Sequence, residues 1–220
     1  DRAEIDGETY VRIIDYKSSD RELAFDDVYY GLSLQMVTYL DALVTNATTW
    51  NSGKPVHPAG MFYFHVHNPM LKGEELKEEV MYGTDWLKQY TLFGYAIDGV
   101  AIVEQMDEGV SKGSDVLPVR LKKDGSFYAY SKVIGLEEMD ILRQFSRKKH
   151  EEAGRAIFEG VTTVEPTQKE ERLPCTFCNY RAICQFDPTD AASEKKIVSP
   201  LDDDATLQKM REEIDSNDTD

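Results

Sequence analysis

No apolar run in this chain approaches the ~20 residues that a membrane-crossing helix needs. The opening DRAEIDGETY has neither a basic start nor an apolar core, which argues against a secretory leader. A soluble, unexported protein is expected. Basic charge is also in short supply, with 25 Lys and Arg against 41 Asp and Glu, a net charge of −16. That disfavours an isolated module gripping nucleic acid through a broad basic face, because phosphate contacts need clustered Lys and Arg. It leaves room for a site whose carboxylates hold a metal ion. Cysteine is scarce too, and the three present all fall between Cys175 and Cys184. They are too crowded, and too odd in number, for a disulfide framework, so metal ligation in a reducing compartment such as the cytoplasm is the better reading. No internal repeat is visible and no Gly-x-x-x-x-Gly-Lys loop occurs, so ATP use is not expected of these residues.

What is present suits one main α/β domain plus an appendage. Tyr10 to Asp15 reads as a buried strand after the Asp6-Gly7 turn signal. From Asp26 to about Val44, Val28, Leu32, Gln35, Met36, Tyr39, Leu40 and Leu43 recur at helical spacing, which predicts one long helix N-capped by Asp26 or Asp27. The aromatic and β-branched run from Pro58 to Asn68 predicts a second strand, closed by Pro69. Gly83 and Gly94 read as breaks, and Asp98 as the cap of a short helix through Ala101, Val103 and Met106. Residues 117–130 predict a hairpin about Asp124-Gly125. Leu136 to Phe158 predicts a helix with Met139, Leu142, Phe145, Ala153, Ile157 and Phe158 on its buried stripe, stopped at Gly160. After Asp187-Pro188 the composition turns polar and acidic, predicting a loose tail over 188–220 in which Thr206 to Ile214 alone forms a short helix.

The chemistry-bearing residues begin where the first strand emerges. Asp15 and Lys17 stand two apart in a predicted strand and so share a face. A carboxylate there can hold Mg²⁺ against a scissile phosphate while the ammonium steadies developing negative charge. The tripeptide alone also fits a surface ion pair. About twenty residues on, Gln35 and Tyr39 stand one helical turn apart on one face.

This order, IIDYKSS followed by YYGLSLQMVTYLDAL, resembles the RecB-like branch of the PD-(D/E)XK nucleases. Through PAGMFYFHVHNP and CNYRAICQFD the resemblance extends to the C-terminal nuclease domain of the AddB-type (RexB-like) subunits. It implies a restriction-endonuclease-like mixed sheet flanked by helices, with Asp15 and Lys17 catalytic. Gln35 would orient the water or phosphate and Tyr39 would contact the DNA backbone. It also implies a second Mg²⁺ ligand at Asp1, matching the end of the family's Gly-Arg-Ile-Asp-Arg stretch, with Asp6 as a weaker substitute. The implied role is exonucleolytic hydrolysis of DNA, at single- and double-stranded ends, in a bacterial, nucleoid-associated complex that resects double-strand breaks for recombinational repair. Its partner would be an AddA-type helicase/nuclease subunit in an ATP-driven heterodimer. A catalytically silent nuclease fold that serves as a DNA-binding platform or scaffold for the helicase is the alternative.

CTFCNYRAIC gives Cys175, Cys178 and Cys184 in a Cys-x2-Cys-x5-Cys run. Thiolates so spaced suit a soft metal or an iron-sulfur cluster, for which four cysteines are usual. Zinc with a histidine, unligated packing and a redox pair stay open as alternatives. The AddB resemblance implies a 4Fe-4S cluster whose fourth cysteine lies outside this chain, stapling the segment across the nuclease fold. On this reading 1–170 form an N-terminally truncated nuclease core, 171–187 the cysteine segment and 188–220 the tail, and the chain alone is expected to be weakly active or inactive. His65 and His67 are read as strand packing and Lys122 and Lys123 as a solvated turn. Arg143, Arg147, Lys148, Lys149 and His150 form a basic stretch on the long helix that contact with DNA or a partner and a plain exposed helix face explain equally well, and Trp50 and Trp86 are packing residues.

Overall fold

The computed structural model describes residues 1–19, 21–66, 90–190 and 193–217. Strands β1 (Arg2–Ile5) and β2 (Glu8–Lys17) form an antiparallel hairpin. Asp6 and Gly7 turn it with φ of 52° and 84°, the left-handed pair that a two-residue hairpin turn requires. From β2 the chain passes through α1 (Phe25–Tyr29), α2 (Gln35–Thr45) and α3 (Ala47–Trp50) into β3 (Val56–His65), which lies parallel to β2. A parallel return needs such a crossover, and it lays α2 on one face of the sheet. β4 (Phe93–Ile97) is antiparallel to β3, and β5 (Val133–Ile134) parallel to β4, giving a mixed sheet in the order β1-β2-β3-β4-β5.

Both faces are covered, which explains why β3 is apolar almost throughout. Met61 and Tyr63 point to the face packed by Val37 and Leu40 of α2 and by Met139, Leu142 and Phe145 of α5 (Leu136–Phe158). Phe62 points to the other face with Ala96, Leu117 and Val119, and with Val103 of α4 (Val100–Met106). Gly94 is a strand position rather than the expected break. At φ 144° its missing side chain lets the Met61 carbonyl come within 2.0 Å of where a Cβ would sit.

The long helix expected over 26–44 is divided. Gly31 takes a left-handed φ of 73°, and the Asp27 carbonyl accepts from the N–H groups of Leu32 and Ser33, at 2.7 and 3.1 Å. Neither Asp26 nor Asp27 caps α1, whose N-cap is Ala24. Both carboxylates are instead buried against Lys169, 2.5 Å from Asp26 and 2.8 Å from Asp27. Asp98 does not cap α4 either, since Gly99 holds that position and the Asp98 N–H bonds to the Ile134 carbonyl at 2.8 Å. The hairpin about Asp124-Gly125 keeps its turn but shrinks to one bridge, Leu121 with Phe127, because Ser131 and Lys132 bond Arg120 and Pro118 on its flank.

The helix α5 has the expected bounds, but only its first half is buried. Ala153, Ile157 and Phe158 are exposed where it runs past the sheet. The short strands β6 (Thr167–Lys169) and β7 (Lys196–Val198) pair in parallel, with the helix α6 (Arg181–Cys184) between them in sequence. The expected loose tail is not what 203–217 form. They make the helix α7 (Asp203–Asn217), docked through the fully buried Thr206 and Met210 and through hydrogen bonds from Tyr95 to Asp203 and Tyr29 to Glu213, both 2.6 Å. Its few apolar residues lie on one side, and they are enough to close the core of α1 and α5. The expected closure by Pro69, the break at Gly83, and His67 and Trp86 lie outside the described residues.

Candidate active site

The C-terminal end of β2 carries the site. Asp15 and Lys17 follow Val11 and Ile13 on the α2 face, because alternate strand residues share a side. Across the gap left by the α1–α2 break, α2 starts at Gln35 and presents Gln35 and Tyr39 one turn apart. The Lys17 ammonium donates to Gln35 Oε1 at 2.7 Å, and Gln35 Nε2 donates to Tyr39 Oη at 3.0 Å. The structure therefore brings Asp15, Lys17, Gln35 and Tyr39 into one connected set.

Lys17 Nζ also lies 2.7 Å from Asp15 Oδ2 as an ion pair and 5.5 Å from the centre of the Tyr63 ring. The approach to Oδ2 lacks hydrogen-bond geometry, and that buried atom takes no hydrogen bond among the described residues. Coulomb attraction alone ties it to the lysine. A buried carboxylate oxygen with no donor suits a hard cation, since Mg²⁺ is commonly held through one or two carboxylates, water and substrate phosphate. Asp15 fits that role.

Asp1 does not join the set. Its carboxylate pairs with Arg12 Nε at 2.9 Å, and its ammonium and carbonyl bond the Arg12 backbone. Arg12 and Ile14 face the opposite side of β2 from Asp15, and Arg12 stands about 10 Å back along the strand at ~3.3 Å per residue. Asp6 is in the hairpin turn, beyond the far end of β2 from Lys17.

An open cleft above the set is lined by Tyr16, Lys17, Ser18, Arg21, Gln35 and Tyr63, among others. Two groups that shape it carry no recognisable local signal. His65, buried and stacked on Phe93 with ring centres 4.4 Å apart, accepts the Arg21 N–H at Nε2, 3.0 Å away, and so fixes the loop after Lys17. The packing role read for His65 thus extends to the site. Asp27, held by Lys169 and Arg172, fixes Leu32 and Ser33 just before Gln35. These contacts link residues 44 to 145 positions apart, beyond the reach of any spacing rule.

The cysteine segment behaves differently. Cys175 is half-buried while Cys178 and Cys184 are exposed, and all are free thiols. Among the described residues no group of three or more His, Cys, Asp or Glu side chains is gathered to hold a metal. As placed, the three thiols are not gathered into one site. The basic stretch is partly consumed by ion pairs, with Arg143 and Arg147 both 3.0 Å from Asp41.

Among the described residues no helix is long and apolar enough to cross a membrane. Comparison with known proteins finds relatives named as ATP-dependent helicase/deoxyribonuclease subunits of the B type. The chain is 39% identical over 218 residues to the one from Bacillus mycoides and 38% identical over 216 residues to those from Bacillus cereus and Bacillus anthracis. Each alignment takes in 97% of this chain but 18% of the relative, so the chain spans about a fifth of the length of the proteins it matches. A family model described as the PD-(D/E)XK nuclease superfamily matches residues 1–185. With Asp15-Tyr16-Lys17 at the end of a central strand of a mixed, helix-flanked sheet, the chain belongs to the PD-(D/E)XK nuclease superfamily.

Proposed function

We propose that this chain hydrolyses DNA phosphodiesters at the Asp15–Lys17–Gln35–Tyr39 set with Mg²⁺ as cofactor. The observation that carries the reading is the linkage of these four side chains, two from β2 and two from α2, with Lys17 and Gln35 lining one cleft. The chemistry that a bound Mg²⁺ supplies is Lewis acidity toward the scissile phosphate and toward water. Asp15 would hold the cation, since its buried Oδ2 takes no hydrogen bond among the described residues. The Lys17 ammonium keeps protons to spare after bonding Gln35 and directs positive charge to the oxygens that gain negative charge. Gln35 orients that ammonium, and Tyr39, about half exposed, offers its hydroxyl hydrogen to a backbone phosphate.

The wider setting is proposed from the names of the relatives, which give a helicase/deoxyribonuclease subunit, and from the AddB resemblance, which implies the partner and the repair role. The chain would act as a nuclease unit of a cytoplasmic helicase/deoxyribonuclease beside an AddA-type subunit, trimming DNA ends for recombinational repair. The 4Fe-4S cluster stays a proposal resting on the spacing of Cys175, Cys178 and Cys184 together with the AddB resemblance. Visible absorption of the full-length protein prepared without oxygen tests it.

The test of the nuclease reading is cutting of single-stranded DNA by the full-length protein with Mg²⁺ and with EDTA, for wild type and Asp15→Ala. Loss of cutting in EDTA and in the variant is expected. Equal rates for variant and wild type would leave the scaffold alternative as the explanation.

A further inference from the structure

The cleft above Lys17 does not end at Arg21. Arg21 and Leu32 also form one wall of a second cleft of about 620 Å³, whose other walls include Glu171, Arg172, Thr176 and Phe177. The two make a continuous depression from the candidate active site to the segment that carries the cysteines.

Three features of it point to one class of ligand. First, its charge is opposite to that of the chain. Among the described lining residues of both clefts, Lys17, Arg21 and Arg172 face a single carboxylate, Glu171, in a protein of net charge −16. Second, the Arg21 guanidinium has no carboxylate partner among the described residues, although its backbone is fixed by His65. Arg172 spends one nitrogen on Asp27 at 2.9 Å and stays 57% exposed. A guanidinium without a carboxylate partner, as in Arg21, and one with exposed nitrogens beyond its ion pair, as in Arg172, are suited to phosphate oxygens. Third, Phe177 is 91% exposed at one end and Tyr16 67% exposed at the other. Aromatic faces beside a positive groove are how proteins hold unpaired bases, and base pairs in a duplex would hide those bases.

We propose that this depression is a track for the single strand being cut, in which Arg21 and Arg172 hold successive phosphates and Phe177 stacks on an unpaired base. The proposal rests on the nuclease reading and gives that site its substrate form, a single strand several nucleotides long. It also gives the cysteine segment a role in holding substrate.

The test is binding of a fluorescein-labelled oligothymidylate of about 12 nucleotides, within the usual span of single-strand sites, to the full-length protein in EDTA at several salt concentrations. Cutting assays with Mg²⁺ run in parallel. Arg21→Ala is expected to weaken binding and to reduce the salt dependence by about one phosphate contact. Phe177→Ala is expected to weaken binding about tenfold, Phe177→Trp to restore it, and the kinetic loss to fall on KM rather than kcat. Unchanged affinity in Arg21→Ala and Phe177→Ala, with cutting abolished by Asp15→Ala, would overturn the track and leave the nuclease reading standing. Phe177→Ala that keeps DNA affinity but loses a protein subunit in sedimentation would overturn it by assigning Phe177 to a protein interface. Reduced affinity in both variants together with undiminished cutting by Asp15→Ala would keep the binding track and remove the nuclease centre.

Discussion

Lys169 Nζ lies 2.8 Å from Asp27 Oδ1, and both side chains are over nine-tenths buried. The same ammonium neutralises Asp26, and the Asp26 carboxylate in turn accepts the Leu201 N–H at 3.2 Å. One buried cation therefore ties together α1, β6 and the segment leading into α7. Removing it strands two carboxylates in the interior, with Arg172 left to compensate one of them. Breaking a buried pair by deleting one partner costs about 3–5 kcal/mol. Lys169→Met is expected to lower the urea midpoint by a corresponding amount with little change in the slope of the transition. A variant that melts at the wild-type midpoint would show that the pair contributes nothing net.

The docking of α7 has a pH signature. The Tyr29 phenol is pushed up to about 12, first by its hydrogen bond to Glu213 and then by burial. Tyr95 is raised further, by burial and by Asp203. Burial pulls Lys169 down, but its hydrogen bonds to Asp26 and Asp27 and the negative charge of both together outweigh that and leave it raised. All three folded values lie above the ordinary ones, so the stability they contribute is complete below about pH 10. It is lost as the pH climbs through the folded values, for Tyr29 between about 10 and about 12. Thermal melts from pH 8 upward are expected to hold level and then fall through that range. Tyr29→Phe is expected to start lower and fall less steeply there. A Tyr29→Phe slope identical to that of wild type would remove Tyr29 as a cause.

How much of this is legible in the sequence depends on range. The strand ending in Asp15-Tyr16-Lys17, the pair Gln35 and Tyr39, and the bounds of Leu136–Phe158 follow from periods of two and 3.6, which local residues set. The break at Gly31 is hidden because the apolar positions of 28–43 keep helical spacing across it, and the ion cluster with residues 169 and 172 that accompanies the interruption lies beyond local range. The docking of 203–217 is hidden for a related reason. A strongly acidic segment reads as solvated, but here Asp203 and Glu213 accept hydrogen bonds from tyrosines and Thr206 and Met210 are sunk in the core. Family pattern aligns Asp1 with a metal ligand, whereas the hairpin register sets it opposite Arg12, on the other side of β2 from Asp15.

Gln35 separates positioning from folding at the candidate site. Its amide oxygen is the hydrogen-bond acceptor of Lys17 among the described residues, and it fixes the direction of an ammonium that lies 2.7 Å from Asp15 Oδ2. In Gln35→Leu the ammonium is expected to turn a proton onto Asp15 Oδ2, 2.7 Å away, and compete with the cation for that oxygen. A misplacement of about 1 Å in a catalytic group can cost ~100-fold in rate, so cutting at saturating Mg²⁺ should fall by about that factor. Stability should hardly change, because the Lys17–Gln35 and Gln35–Tyr39 bonds are both exposed to solvent. The competition has a further consequence, since raising Mg²⁺ should recover part of the rate in Gln35→Leu but none in Asp15→Ala. Single-turnover cutting across a Mg²⁺ series, with a urea melt of each variant, measures both effects. A Gln35→Leu enzyme that cuts at the wild-type rate would place the orientation of Lys17 outside the mechanism.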